Sequence, residues 1–288
     1  MTQNASGATW QPSDLELSRR RLRKRATNRS VLIALISSVV LAGVLIAVVV
    51  NTPGWVVVRE TFFNPQVALD SIGPIFQGLL LNLLVLVISA VCVAILGTLL
   101  ATVRSLRGPV FFPLRALAAA YTDFFRGVPL LIVLYIVGFG IPALMIFPRM
   151  PAVFWGTIAL VITYSAYVAE VLRAGMEAVH PSQRVAARSL GLSHAQTLRM
   201  VVIPQGVRKV VPALMNDFVS MQKDVGLISV LGAVDAVRAA QLQVAESYNF
   251  TPYIVAGLLF VILSWPMIRL TDVVTARLNR REQAGGVV

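Results

Sequence analysis

Acidic side chains are scarce in this sequence, cysteine is nearly absent, and charge of either sign is thin. Asp and Glu together number 13 against 25 Lys and Arg, and charged residues make up 13% of the 288 positions. A soluble globular domain carries about 25% charge, so the composition argues against a soluble enzyme. The formal net charge of +12 would suggest a polyanionic partner, but the basic residues lie between apolar runs rather than on one polar domain. Cys92 is the single cysteine and sits inside an apolar run, which excludes an internal disulfide. The histidines are His180 and His194 alone, 14 positions apart with no cysteine or paired carboxylate nearby, so no metal-ligand set is expected. The phosphate-cradling pattern G-x-x-x-x-G-K-[ST] is also missing, so ATP binding and hydrolysis by this chain are not expected, and no bound cofactor is.

What is abundant is apolar length. Hydrophobic residues are 57% of the chain and the mean hydropathy is +0.78. A membrane-spanning helix needs roughly 20 apolar residues. Runs of that order fall at Val31 to Val50, about Leu79 to Val103, about Val128 to Phe147, Val153 to about Val179, Val210 to about Val234, and about Tyr253 to Leu270. The first follows Arg19, Arg20, Arg21, Arg23, Lys24, Arg25 and Arg29. It is too long for the apolar region of a signal peptide, about 7–15 residues, and no small-residue cleavage site follows it, so it reads as a retained anchor. Six spans leave only Arg59, Arg149 and Arg238 facing outward, an asymmetry that predicts both termini in the cytoplasm. The basic tail reads either as a topogenic cluster or as a contact for anionic lipid headgroups.

One polar stretch interrupts this pattern. "RVAARSLGLSHAQTLRMVVIP", Arg184 to Pro204, falls in the cytoplasm between the fourth and fifth runs. Pro181 and Ser182 open a short helix that Gly191 ends, since glycine takes the left-handed cap conformation readily. Ser193 opens a second, with Gln196 three residues on in a capping-box pattern, and Pro204 is expected to end it. Val185, Ser189 and Leu190 share a side with Ala186, and the small Ala186 and Ala187 let a partner approach closely. Such an elbow docks in a partner's groove or lies on the membrane or on its own protein.

The spacing Val185-Ala186-Ala187, Gly191, Val201, Ile203-Pro204 resembles the EAA loop of ATP-binding cassette importer permeases, with Val185 in place of the glutamate. "FFRGVPLLIVLYIVGFGIP", "SAYVAEVLRAG" and "IPQGVRKVVPALMNDFVSMQKDVGLISVLG" resemble, in order, further segments of the polar amino acid uptake branch. In the last, Val225 and Gly226 replace the usual Thr-Ser, and Asp217 follows Asn216. The resemblance covers about residues 72–278. It implies an all-α membrane protein of about six transmembrane helices, with the type I importer permease fold and one added N-terminal helix. The domains expected are a basic cytoplasmic tail at 1–30, the additional helix at 31–51, the core permease at 72–278 with its coupling elbow at 181–204, and a cytoplasmic tail at 279–288. Val185, Ala186, Ala187, Ser189, Leu190, Gly191 and Leu192 are then the residues that couple to a separate ATPase subunit. A second permease subunit, the same or related, and an extracytoplasmic solute-binding protein are the other partners implied. Membrane lipid surrounds the chain, and nucleic acid is not a partner.

Ionisable residues inside spans are functional candidates. Thr163, Tyr167 and Glu170 share one face of the fourth run, and Asp217, Ser220 and Asp224 share a face of the fifth. Either set lines a solute pathway, or Glu170 and Asp224 pair with Arg173 or Lys223 and hold the bundle. Arg126, beside Gly127 and Pro129, reads as an interfacial anchor. The rival to an ATP-driven importer is a self-sufficient secondary carrier, which often shows inverted repeats; no internal repeat is visible here. A membrane enzyme would need a nucleophile–base or metal constellation that the sequence does not supply.

Overall fold

The computed structural model describes residues 13–106 and 108–285; the first twelve residues of the expected basic tail, Arg107 and the last three residues of the C-terminal tail lie outside them. The chain divides into two compact units, residues 1–60 and 61–288. In the first unit, Ser13 accepts a hydrogen bond from the Glu16 amide and caps α1 (Asp14–Val50). Asn51 ends it, its backbone amide and side-chain amide both donating to the Ala47 carbonyl. The stretch Thr27–Val50 is apolar enough to cross a membrane, and its side chains are exposed throughout. At 1.5 Å per residue it spans about 36 Å, more than a bilayer's hydrocarbon core of about 30 Å. A short helix, α2 (Trp55–Phe62), follows.

The second unit is built around α3 (Pro65–Ser105), capped by Asn64 through its side-chain oxygen. It begins well before the expected Leu79, because Pro65 at the first helical position suits a helix start. Along its length α3 packs on α7 (Ala152–Glu177), on α4 (Phe112–Gly127), on α11 (Ala236–Ser247) and on α12 (Thr251–Gly285), while α10 (Ile203–Asp224) packs on α7 and α12. The main core joins Val85, Leu86 and Val93 of α3 to Trp155, Leu160 and Tyr164 of α7, with Met221 and Ile228 from the α10 segment. A smaller one joins Ile75 and Leu79 to Ala236, Ala240 and Ala256. Gly78 lets α3 touch the backbone of Asp235, where an added Cβ would lie 2.4 Å from its carbonyl carbon. Asn82 ties the same junction, donating to Asp235 Oδ2 at 2.9 Å and accepting from the Ala236 amide at 3.0 Å.

Two of the expected spans are corrected. The run Val128 to Phe147 is not one straight span. Helix runs only over α5 (Leu130–Tyr135), a π-turn at Ile136–Gly140 and α6 (Ile141–Ala143), about 21 Å and too short to cross alone. It forms a membrane-competent pair only with α4, bent by 108°. Pro129 is the cause: it has no amide hydrogen to give and holds Val128 extended. The fifth run is also broken. α10 passes into a 3₁₀ stretch, Val225–Leu231, which Gly232 ends at φ +89, and α11 departs at 50°. Among the described residues, four helices are long and apolar enough to cross a membrane, or up to six if each bent pair counts as one span.

Candidate functional site: an acid-lined cleft beside a glycine elbow

The chain's local rules explain the elbow. α8 (Pro181–Ser189) opens with proline at its first position and with the His180 ring accepting from the Ser182 amide. It ends in a Schellman motif: the Gly191 amide donates to the Arg188 carbonyl, and the Leu192 amide to the Ala187 carbonyl. Gly191 carries the required left-handed conformation, φ +83. Ser193 then starts α9 (His194–Thr197) with a complete capping box, its Oγ accepting from the Gln196 amide while Gln196 Oε1 accepts from the Ser193 amide. Pro204 does not end this second helix, as the sequence suggested. The chain continues through a π-turn, Leu198–Val202, into α10. Pro204 has no amide to pair with the preceding turn, and the wide turn takes up the register.

Val185 and Leu190 stand 63% and 83% exposed, and Ala186, Ser189 and Gly191 share that open side; Leu192 is half-buried. Ala187 differs from expectation. At 5% exposure it faces its own chain, so it seats the elbow on this protein and does not offer room to a partner. The elbow is tied down next to it. Arg184 donates to the Met176 carbonyl at 2.6 Å, and Lys209 to the Ala178 carbonyl at 2.7 Å, both at the C-terminal end of α7. There α7 and α10 meet backbone to backbone: an added Cβ on Gly175 would lie 2.7 Å from the Gly206 carbonyl oxygen.

Between α3, α7 and α10 lies a cleft of about 310 Å³, walled by apolar side chains such as Val93, Val168, Leu214 and Phe218. Its polar groups are Thr98, Tyr164 and Asp217. Asp217 Oδ2 is buried with no hydrogen-bond partner among the described residues. Asp224, two turns along the same face of α10, accepts a hydrogen bond from the Tyr164 hydroxyl at 2.7 Å. The other expected residues are scattered. Thr163 is buried with its hydroxyl unpaired among the described residues. Tyr167, half-exposed, donates to the Arg126 carbonyl at 3.4 Å. Ser220 is exposed and does not line the cleft. Lys223 is exposed, and Asp224 is held by the Tyr164 hydroxyl.

Glu170 lies outside the cleft, at the centre of an ion-pair cluster. Its Oε2 accepts from Arg104 of α3 at 2.7 Å and lies 3.7 Å from Arg126 of α4; its Oε1 accepts from Arg173 at 2.5 Å. Arg104 also reaches Thr122, and Arg173 also pairs with Glu177. The pairing with Arg173 is visible in the i, i+3 spacing. The contacts to Arg104 and Arg126 cross 66 and 44 positions of sequence, and no local pattern announces them. Tyr164 was likewise missed, since it adjoins the Thr163–Tyr167 face without belonging to it.

Residues 108–282, which include the cleft walls on α7 and α10, the elbow and Glu170 with Arg126 and Arg173, match the family described as binding-protein-dependent transport system inner membrane component. The chain belongs to that family. The permease is 35% identical over 191 residues to the arginine transport system permease protein ArtQ of Bacillus subtilis, covering 66% of this chain and 85% of that one. It is 32% identical over 205 residues to the probable glutamine ABC transporter permease protein GlnM of the same organism, covering 71% and 93%. Among solved structures, an amino acid ABC transporter with histidines is 32% identical with a TM-score of 0.67, over 73% of this chain and 96% of that one. A chain of the MetNI methionine ABC transporter shares the fold at 16% identity and a TM-score of 0.59, over 71% and 96%. The permease is thus a multi-pass membrane protein with the type I ABC importer permease fold, and the reading as a self-sufficient carrier is not favoured.

Proposed function

We propose that this permease carries a polar amino acid with a positively charged side-chain group through the cleft between α3, α7 and α10. The observation that carries the reading is Asp217, whose buried oxygen has no partner among the described residues and whose cleft walls supply no cation. A carboxylate in apolar surroundings within a membrane is costly and calls for a compensating charge; a passing ammonium or guanidinium would supply it. Arginine and glutamine appear in the names of relatives, which supports an amino acid as the solute.

In this reading the exposed side of the elbow, Val185, Ala186, Ser189, Leu190 and Gly191, docks in a separate ATPase subunit, with Leu192 at its edge. A second permease subunit completes the pathway and an extracytoplasmic binding protein delivers the solute. Both termini and the elbow face the cytoplasm. This chain itself hydrolyses nothing and holds no cofactor. The test is uptake of labelled arginine, glutamine and glutamate by the complete complex in vesicles. We expect arginine to be accumulated, and Asp217→Asn to lower its uptake at least tenfold with membrane abundance unchanged. Arginine uptake by Asp217→Asn at the parental rate would remove Asp217 from the pathway.

A further inference from the structure

α1 lies outside the matched family segment and carries the densest run of charge in the chain. Arg19, Arg20, Arg21, Arg23, Lys24, Arg25 and Arg29 stand between Glu16 and Val31, and the next acid along the chain is Glu60. All seven lie on one unbroken helix, Asp14–Val50, whose apolar part begins at Thr27, so the basic stretch and the span form a single rod. The second unit has its own basic residues at Arg104 and Arg115, so the orientation of the core does not require seven cations here.

The helix fixes how far each charge stands from the membrane. Arg29 is two residues before the uncharged run that starts at Val31, which puts it at the depth of the polar headgroups, a layer about 5–7 Å deep on each side of the bilayer. At 1.5 Å per residue, Lys24 and Arg23 lie about 8–9 Å further out and Arg19 about 15 Å. With a screening length of about 8 Å at physiological salt, Lys24 and Arg23 still feel the headgroup charge, and Arg19 feels it much less. Around the axis, at about 100° per residue, Arg23, Lys24 and Arg29 fall roughly 100–140° apart, and all three are exposed. A protein groove or a nucleic acid grips one face of a helix. Cations on every side suit a surrounding layer of opposite sign, and acidic lipid headgroups form such a layer.

We propose that the base of α1 is a collar that binds anionic phospholipid, with Arg23, Lys24 and Arg29 gathering acidic headgroups around the helix. The proposal stands apart from the identity of the solute. Its test uses the complete complex with Cys92→Ser and a fluorophore on Ser30→Cys, in phosphatidylcholine vesicles holding a small share of one spin-labelled lipid. At about 0.01 M salt, where the screening length is about 30 Å, labelled phosphatidylglycerol should quench about threefold more than labelled phosphatidylcholine at the same share. At about 1 M salt, where that length is about 3 Å, the two should quench alike. Equal quenching at low salt, or an excess that survives high salt, overturns the collar. Arg23→Gln, Lys24→Gln, Arg25→Gln and Arg29→Gln together should remove the excess, while Arg19→Gln, Arg20→Gln and Arg21→Gln together should keep more than half of it; the reverse order overturns the placement of the site. Arg23→Lys, Arg25→Lys and Arg29→Lys together keep every charge and should quench as the parent does, and loss of the excess there overturns a contact made by charge. If a random-sequence RNA binds the complex through these residues and the phosphatidylglycerol excess is absent, the tail serves a polynucleotide and the lipid proposal falls.

Discussion

Glu170 and Asp217 are both carboxylates within helices of the bundle, and their surroundings assign them opposite duties. Glu170 has guanidinium groups from α3, α4 and α7 around it, whereas Asp217 has an apolar wall and one unpaired oxygen among the described residues. Removing the charge of Glu170 strands its arginines in a cluster that is only partly buried, so the loss should fall below the roughly 3–5 kcal/mol of a fully buried pair broken from one side. We expect Glu170→Gln to lower membrane abundance and thermal stability, measured by unfolding in detergent. Asp217→Asn should leave both near the parent and act on uptake. Asp224→Asn keeps an acceptor for the Tyr164 hydroxyl but weakens that hydrogen bond by removing the charge, and should have the larger effect on stability of the two α10 variants. The elbow alanines split in the same way. Ala187→Trp overfills a site inside the chain and should lower abundance, whereas Ala186→Trp, on the exposed side, should insert normally and lose the ATPase in co-purification. What decided these pairs was burial and distant partners. Sequence spacing placed Ala186 and Ala187 together as small residues and could not say which one faced inward.

Among the elements, the short ones were the more legible. The glycine at φ +83 and the capping box of Ser193 and Gln196 are local hydrogen-bond rules, and they stand in the structure where the spacing put them. The long apolar runs were less so. Hydropathy registers that Val128 to Phe147 is apolar but not that Pro129 turns the chain by 108°, nor that the run needs α4 to cross. The junction of Asn82 with Asp235 spans 153 positions, and neither residue carries a local mark of it. Glycines give a direct check on how the elements meet. Gly78→Ala places a Cβ against the Asp235 backbone at 2.4 Å and should destabilise by about 1–3 kcal/mol. Gly43, in α1, has nothing within 4 Å of an added Cβ, so Gly43→Ala should be neutral or add up to about 1 kcal/mol through helix propensity. Thermal unfolding of the two variants, side by side, measures the contrast.

At the scale of the whole molecule, residues 1–60 form a unit apart from 61–288. The second carries its own basic residues in the last turn of α3 and beyond it, Arg104 and Arg115, which favour the cytoplasmic side under the positive-inside rule. A chain lacking residues 1–51 should therefore insert in the parental orientation and keep partial transport. Cysteines placed at Ser193 and at Arg59 of the full chain report that orientation: an impermeant thiol reagent outside the cell should reach Arg59→Cys and leave Ser193→Cys unlabelled. The elbow has a bearing on how such a molecule comes together. Its turn and the start of α9 draw their hydrogen bonds from within the loop, from Gly191, Leu192, Ser193 and Gln196. It has its shape before any other subunit arrives, so assembly with the ATPase is a meeting of two finished surfaces. Association followed by stopped-flow should then be a single second-order phase whose rate rises in proportion to concentration, with no slower ordering step behind it.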